Sequence, residues 1–255
     1  MTFTYYDEVS KSYKDLITTT DSKEYSDLWI PFLRSFAAHQ KEKGWFDRTV
    51  IAMDERALDA MQDAYRIAQE AAPGIKMSLA GNYHKELVDK IYDYCIAWKQ
   101  QFTPEDLALR NSKGWISTSY TACPDAMPNV GSNNEPIEAT YLPLYCLANG
   151  FNGFLRWAWM NWTDNPMYDS RFKLFTPGDT YIVYPGMHSS RRFEHIIRGV
   201  QDVAKIETLR KEYKQKRNLK ALQLLEDALS RFKNPTPNET ELRESIYKIE
   251  SLLNK

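Results

Sequence analysis

The residues best suited to chemistry are Asp54 and Glu55, adjacent carboxylates within the stretch TVIAMDERALDAM, residues 49–61. They stand where a short, β-prone apolar run ends and a helix-like pattern begins. Carboxylates in such a place can transfer protons or stabilise a developing positive charge. The structural alternative is that Asp54 caps the following helix at a solvated turn. This stretch alone leaves both interpretations open.

Aromatic and polar side chains follow other strands that the sequence predicts. The chain contains 7 Trp and 16 Tyr, and part of this content is concentrated in RWAWMNW. Because aromatic faces stack well on sugar rings, this concentration indicates a glycan-binding surface. The candidate substrate-binding residues are Tyr83, Tyr120, Trp157, Trp159, Trp162, Asp164 and Asp179. Each has a structural alternative, since the aromatics can pack in the core and the aspartates can cap loops.

Adjacency of the two carboxylates favours one kind of glycosidase chemistry. In a common arrangement two carboxylates lie roughly 5 to 10 Å apart, on opposite faces of the scissile bond. Neighbours on one strand rarely flank a bond in this way. A 2-acetamido sugar can instead use its own acetamide oxygen as the nucleophile and form an oxazoline. One carboxylate then holds the acetamide N–H, and its neighbour protonates the leaving oxygen.

The pattern of apolar residues predicts alternating strands and helices. The predicted strands span residues 49–54, 75–81, 92–98 and 115–120, and residues 153–162 are predicted to be a buried strand that runs into a loop. Strands separated by helices, a short one at residues 84–91 among them, are typical of βαβ units and a parallel sheet. Residues 7–43 and the chain from Ser189 onward are predicted to be helical. In a parallel (β/α) architecture the site lies at the carboxyl ends of the strands, where the candidates fall.

Composition limits the possible partners. The 255 residues carry a net charge of -1, which argues against a nucleic-acid-binding surface. No apolar run reaches the length of about 18 residues that a membrane span requires. Cys95, Cys123 and Cys146 lack metal-like spacing and are predicted to be core thiols. His84 and His188 show no partner pattern, so we predict neither a metal nor a cofactor.

Several ordered blocks of the sequence resemble one family of enzymes. They are IAMDE, NGFNGFLRWAWMNWTDNP, PGDTYIVYPG and SSRRFEHIIRGVQDV, between about Trp29 and Leu209. The blocks resemble the catalytic domain of glycoside hydrolase family 123, bacterial exo-β-N-acetylgalactosaminidases. The resemblance implies a (β/α)8 TIM-type barrel and a retaining, substrate-assisted mechanism on glycans that end in a 2-acetamido sugar. It implies that Asp54 orients the acetamido group, that Glu55 is the general acid and base, and that the enzyme is exported from a bacterium.

The chain departs from the family in length. Members carry an N-terminal β-sandwich and three strands before the one that bears the carboxylates, and we expect these parts in the full-length protein. We therefore expect an incomplete barrel domain over residues 1–209 and a C-terminal helical extension over residues 210–255. The alternatives are a non-catalytic glycan-binding or structural fragment of a barrel, and a hydrolase for a different sugar.

Overall fold

The computed structural model describes residues 2–122, 125 and 127–254. The strands are β1 (Thr2–Asp7), β2 (Ser12–Ile17), β3 (Val50–Met53), β4 (Lys76–Gly81), β5 (Asp93–Ala97), β6 (Ile116–Tyr120) and β7 (Gly153–Phe154). The helices are α1 (Lys23–Glu42), α2 (Leu58–Ala71), α3 (Pro104–Ser112), α4 (Pro136–Ala148), α5 (Arg191–Gln215), α6 (Leu219–Ser230) and α7 (Glu239–Leu253).

The main sheet is parallel and contains five strands in the order β3-β4-β5-β6-β7. Its strands follow the chain order and are separated by helices or short connections, which is the arrangement that the sequence predicts. In register, Val50 pairs with Lys76 at one end of β3, and Met53 pairs with Leu79 at the other. The protein is therefore a mixed α/β fold, and the prediction of about five parallel strands is confirmed.

The chain divides into two compact units. The first comprises Met1–Tyr94 with Leu109–Trp115, and the second comprises Cys95–Ala108 with Ile116–Lys255. The boundary predicted at residue 209 separates a barrel domain from a C-terminal helical extension. The two compact units do not test that boundary, and it stays a prediction.

The first unit begins with a feature that the sequence analysis missed. Strands β1 and β2 form an antiparallel hairpin in which Thr2 pairs with Ile17 and Asp7 with Ser12. The prediction of helix from residue 7 is therefore wrong up to residue 22, since α1 begins at Lys23. The carboxylate of Asp7 accepts the backbone N–H groups of Val9 and Ser10 at 2.8 and 3.1 Å, which fixes a tight turn in place of a helix.

Helix α1 is the predicted long helix before the carboxylate strand. The hydroxyl of Ser22 caps it by accepting the N–H of Tyr25 at 3.1 Å, and Tyr25, Leu33 and Ala37 are its buried residues. Helix α2 follows β3 and buries Met61, together with further apolar residues on the same face. These two helices pack against each other within the first unit.

The helix predicted at residues 84–91 is wrong, because only a 3₁₀ turn forms, at Lys85–Leu87. The backbone carbonyls of Val88 and Ile91 accept hydrogen bonds from the buried guanidinium of Arg110, at 2.9 and 2.7 Å. Arg110 thus anchors the chain just before β5.

The second unit is mostly helical. Helix α4 has ten buried residues, and the ring of one of them, Tyr141, packs on the ring of Phe232. The predicted C-terminal helices are confirmed as α5, α6 and α7, and Asn238 caps α7 by accepting the N–H of Glu241 at 2.9 Å. Among the residues described, no helix is both long and apolar enough to pass through a membrane.

The predicted strand at residues 153–162 is much shorter than expected. Strand β7 contains only Gly153 and Phe154, after which the chain leaves the sheet. The side chain of Arg156 turns into a buried ion pair, and Met160 forms an antiparallel bridge with Tyr181. After β7 the run is therefore a loop bridged to the segment around residue 181, in which Arg156 and Ala158 are buried while Trp157, Met160 and Trp162 are exposed. The prediction of a buried strand is wrong beyond Phe154.

Cys95 and Cys146 are buried in the core, as predicted, and Cys123 lies outside the described residues. Burial raises the pKa of the Cys146 thiol, so it remains protonated and chemically inert.

Candidate active site

Asp54 and Glu55 follow β3 directly, in the short loop that leads to α2. The side chain of Asp54 is 75% exposed and forms an ion pair with Arg56, with Nη1 and Oδ2 2.5 Å apart. Its other oxygen accepts the backbone N–H of Glu55 at 2.9 Å. Asp54 thus closes the turn after β3, but it does not cap α2, whose N-cap is Ala57 without a side-chain hydrogen bond. Its carboxylate remains open to solvent and to a ligand.

Glu55 is less exposed than Asp54 and is held from the end of the neighbouring strand. Its Oε1 accepts the backbone N–H of Asn82 at 2.8 Å and also the side-chain amide of the same residue. Its Oε2 accepts no hydrogen bond from the part of the chain that the structure describes. The carboxyl group is therefore fixed through one oxygen, and the other remains for a proton.

Gly81, the last residue of β4, provides the space in which Glu55 lies. A Cβ atom at position 81 would lie 2.8 Å from Cδ, 2.9 Å from Cγ and 3.0 Å from Cβ of Glu55. Contacts under 3.0 Å are essentially absent from folded proteins, so a larger residue at 81 would displace the carboxylate. The sequence analysis assigned no role to Gly81 or Asn82, because their importance arises from pairing β3 with β4.

Behind Asn82 lies Tyr94, which has no exposed surface. Its hydroxyl donates to the carbonyl of Asn82 at 2.6 Å and accepts the backbone N–H of His84 at 2.8 Å. Burial raises the pKa of Tyr94 to about 12. Tyr83, a predicted substrate-binding residue, lies between the two bonded residues and is half-buried.

In the second unit, Tyr120 ends β6 and its carbonyl accepts the backbone N–H of Trp98 at 2.8 Å. Asp179, proposed to bind sugar hydroxyls, is 2% exposed. Its Oδ1 accepts from Arg156 at 2.7 Å and its Oδ2 accepts the indole N–H of Trp157 at 3.1 Å. In this structure Asp179 therefore orients Trp157.

The three predicted tryptophans have different surroundings. Trp157 is 45% exposed and stacks on Phe175, with ring centroids 5.2 Å apart and an interplanar angle of 29°. Trp162 is also partly exposed, and its indole N–H donates to the carbonyl of Val183 at 2.8 Å.

Trp159 is half-buried and meets the ring of Phe193 edge-on, at 5.9 Å. Trp157 and Trp162 are thus the exposed tryptophans of the three, each with its indole N–H fixed by an acceptor, and Phe175 stacks on the ring of Trp157. The remaining candidate, Asp164, is exposed in the same loop.

No group of three or more His, Cys, Asp or Glu side chains that could hold a metal ion occurs within the described residues. The chemistry that this geometry offers is that of carboxylates and aromatic faces. In the first unit, Asp54 and Glu55 combine one solvent-open carboxylate with one held by hydrogen bonds.

The chain was compared with known proteins. Residues 1–209 match the family model described as the catalytic domain of glycoside hydrolase 123. A solved structure of a family 123 glycoside hydrolase from Clostridium perfringens, whose analysis concerned glycolipid glycan hydrolysis, is similar with a TM-score of 0.85 and 25% sequence identity. The similarity covers 99% of this chain and 48% of that one, so the chain spans about half of that structure's length. No curated protein sequence matches the chain.

Proposed function

Because the chain belongs to glycoside hydrolase family 123, we propose that it carries the catalytic residues of a glycosidase that removes terminal β-N-acetylgalactosamine from glycans. Its five parallel strands would be the later part of a (β/α)8 barrel, with β3 carrying the catalytic pair. The glycan chemistry of the Clostridium perfringens relative supports glycolipid glycans as substrates. The preference for the galacto sugar rests on the family resemblance alone.

In the proposed reaction the nucleophile belongs to the substrate. The acetamide oxygen attacks the anomeric carbon while the bond to the leaving oxygen breaks and the proton of Glu55 moves to that oxygen. The carboxylate of Asp54 holds the acetamide N–H and stabilises the positive charge of the oxazolinium. Water then opens the ring, with Glu55 accepting its proton, so the anomeric configuration is retained and the enzyme is restored.

The observation that carries this proposal is the different support of the two adjacent carboxylates. Glu55 is fixed at Oε1 by Asn82, which leaves Oε2 to hold and transfer a proton. Asp54 is open to solvent and its carboxylate charge is paired with Arg56, which suits a group that must stay ionised to bind a cationic intermediate. Neither feature is needed in a turn that only caps a helix.

The test compares two 4-nitrophenyl glycosides on the 255-residue chain and on the complete product of its gene. If the substrate supplies the nucleophile, the β-N-acetylgalactosaminide should be cleaved with retention and the matching β-galactoside should not. Comparable hydrolysis of both sugars would exclude substrate assistance and with it the roles of both carboxylates.

A variant tests the acid separately. Glu55→Gln should lower kcat for a poor leaving group by about 10²- to 10⁴-fold, the usual contribution of general acid catalysis, and much less for an activated aryl glycoside. The matched control is Glu86→Gln, a surface change in the 3₁₀ turn that follows β4. Equal losses on both leaving groups would remove Glu55 from the acid role.

A further inference from the structure

We propose that Tyr94 is a positioning residue for the general acid, acting through Asn82 on Glu55. The inference rests on the proposed function, since it assigns Glu55 a proton that must reach the leaving oxygen. It adds a buried side chain, remote from the substrate, whose hydroxyl fixes the loop that holds the carboxylate.

The hydroxyl of Tyr94 binds this loop at two points. It donates to the carbonyl of Asn82 and accepts the N–H of His84, so it spans the backbone on both sides of residue 83. Asn82 in turn gives both its backbone N–H and its side-chain amide to Oε1 of Glu55. The residue that holds the carboxylate is therefore itself held from behind by one phenol.

Tyr94 is a rigid support because its own surroundings are fixed. The guanidinium of Arg110 lies over its ring, with Cζ 5.7 Å from the centroid, and both side chains are fully buried. Arg110 is anchored in turn by the carbonyls of Val88 and Ile91. Buried cation–π contacts and charged hydrogen bonds of this kind restrict side-chain motion strongly.

The hydroxyl also keeps its proton over the whole working range of pH. Since burial raises the pKa of Tyr94 to about 12, the group donates to Asn82 at any pH at which a glycosidase operates. Its donor role does not change with the protonation of Glu55. The support is therefore constant while the acid gains and loses its proton.

Tyr94→Phe tests the inference because it keeps the ring and removes only the hydroxyl. Tyr141→Phe is the matched control, since Tyr141 is also fully buried and its hydroxyl donates to a backbone carbonyl, that of Asn234, at 2.9 Å. Both variants leave buried backbone groups without a partner, so both lower stability by a similar mechanism. Only Tyr94 is bonded to the loop that holds Glu55.

The first readout is residue-resolved amide hydrogen exchange on the 255-residue chain, which requires no activity. The amide of His84 loses its acceptor directly in Tyr94→Phe. The amide of Asn82 keeps its acceptor, Glu55, and so reports whether the loop is held from behind. We expect Asn82 to exchange at least tenfold faster in Tyr94→Phe and at the wild-type rate in Tyr141→Phe. Unchanged exchange at Asn82 in Tyr94→Phe would overturn the inference.

The second readout is the dependence of kcat on the leaving group. A displacement of about 1 Å in a reacting group can cost 10²-fold in rate, so we expect a loss of roughly tenfold or more for Tyr94→Phe on a poor leaving group. KM and the rate on an activated aryl glycoside should change little. Equal losses on both leaving groups would show a purely structural role and overturn the inference. If the wild type cleaves no N-acetylgalactosaminide, the proposed function fails, and the exchange rate of Asn82 alone decides whether Tyr94 holds the loop.

Discussion

Replacing Gly81 with alanine should lower the rate of catalysis while leaving the fold intact. The new Cβ would lie 2.8 Å from Cδ of Glu55, and ordinary contacts begin at 3.4 Å, so that atom must move by about 0.6 Å. The Cβ and Cγ atoms of Glu55 lie at 3.0 and 2.9 Å, so rotation at the end of the side chain cannot relieve the contact. The whole stem of the acid has to shift.

The size of the effect follows from the tolerance of catalytic geometry. Productive arrangements hold to within about 0.5 Å, and displacements near 1 Å cost about 10²-fold. We therefore expect Gly81→Ala to lower kcat by between ~10- and ~10²-fold on a substrate with a poor leaving group. The backbone of Gly81 does not have a positive φ, so alanine brings no backbone strain, and the loss of stability should stay within the roughly 1–3 kcal/mol that an added methyl group costs against packed atoms.

The assay combines steady-state kinetics on poor and activated leaving groups with thermal unfolding. Gly153→Ala is the matched control, because Gly153 also lies in a strand, has no positive φ and has no atom within 4 Å of an added Cβ. It should retain wild-type rates. Wild-type activity in Gly81→Ala would refute the reasoning, since it would mean that the position of Glu55 is not restricted by β4. A large loss of stability in this variant would refute it equally.

Two further predictions concern charge. Asp54→Asn should weaken binding of a thiazoline mimic of the oxazoline at least tenfold more than it weakens binding of N-acetylgalactosamine. The reason is that only the mimic presents the developing positive charge. Calorimetric titration of both ligands checks this. Burial raises the pKa of Asp202, whose Oδ2 is buried with no partner among the described residues. The folded protein therefore loses stability as pH rises from about 4 through the raised pKa. Asp202→Asn should remove this loss and raise the free energy of unfolding at pH 7, with no gain near pH 3, as measured by urea unfolding. An equal gain at both pH values would contradict the argument.

The order of strands and helices was predictable because each element carries a local signal. Strand β3 is a short apolar run, α2 has apolar residues at helical spacing, and Asn238 precedes an acidic first turn. The hairpin at residues 2–17 was missed because neither strand buries a continuous face. Its turn depends instead on one carboxylate, that of Asp7, and single capping contacts leave little trace in an apolar pattern.

The pair proposed as catalytic, Asp54 and Glu55, is recognisable in the sequence for a similar reason, whereas the contacts that hold Glu55 are not. Adjacent carboxylates at a strand end are visible in one short stretch of sequence. The groups that hold Glu55 come from position 82, and the group that holds Asn82 comes from position 94, so their roles exist only once β3 and β4 are paired and β5 is in place. No local pattern distinguishes Tyr94 from the other tyrosines of the chain.

Aromatic content predicts a sugar-binding surface only in part, because tryptophans of the same loop can be either exposed or packed. Trp157 has an exposed face, and its indole N–H is fixed by Asp179, which Arg156 holds in a buried ion pair. A stacking platform needs both properties, because an open ring that rotates freely loses entropy when it binds. Trp159, two residues later, faces Phe193 and serves packing. We therefore expect the orientation of Trp157 in the RWAWMNW motif to depend on Asp179, a residue that lies 22 positions after it.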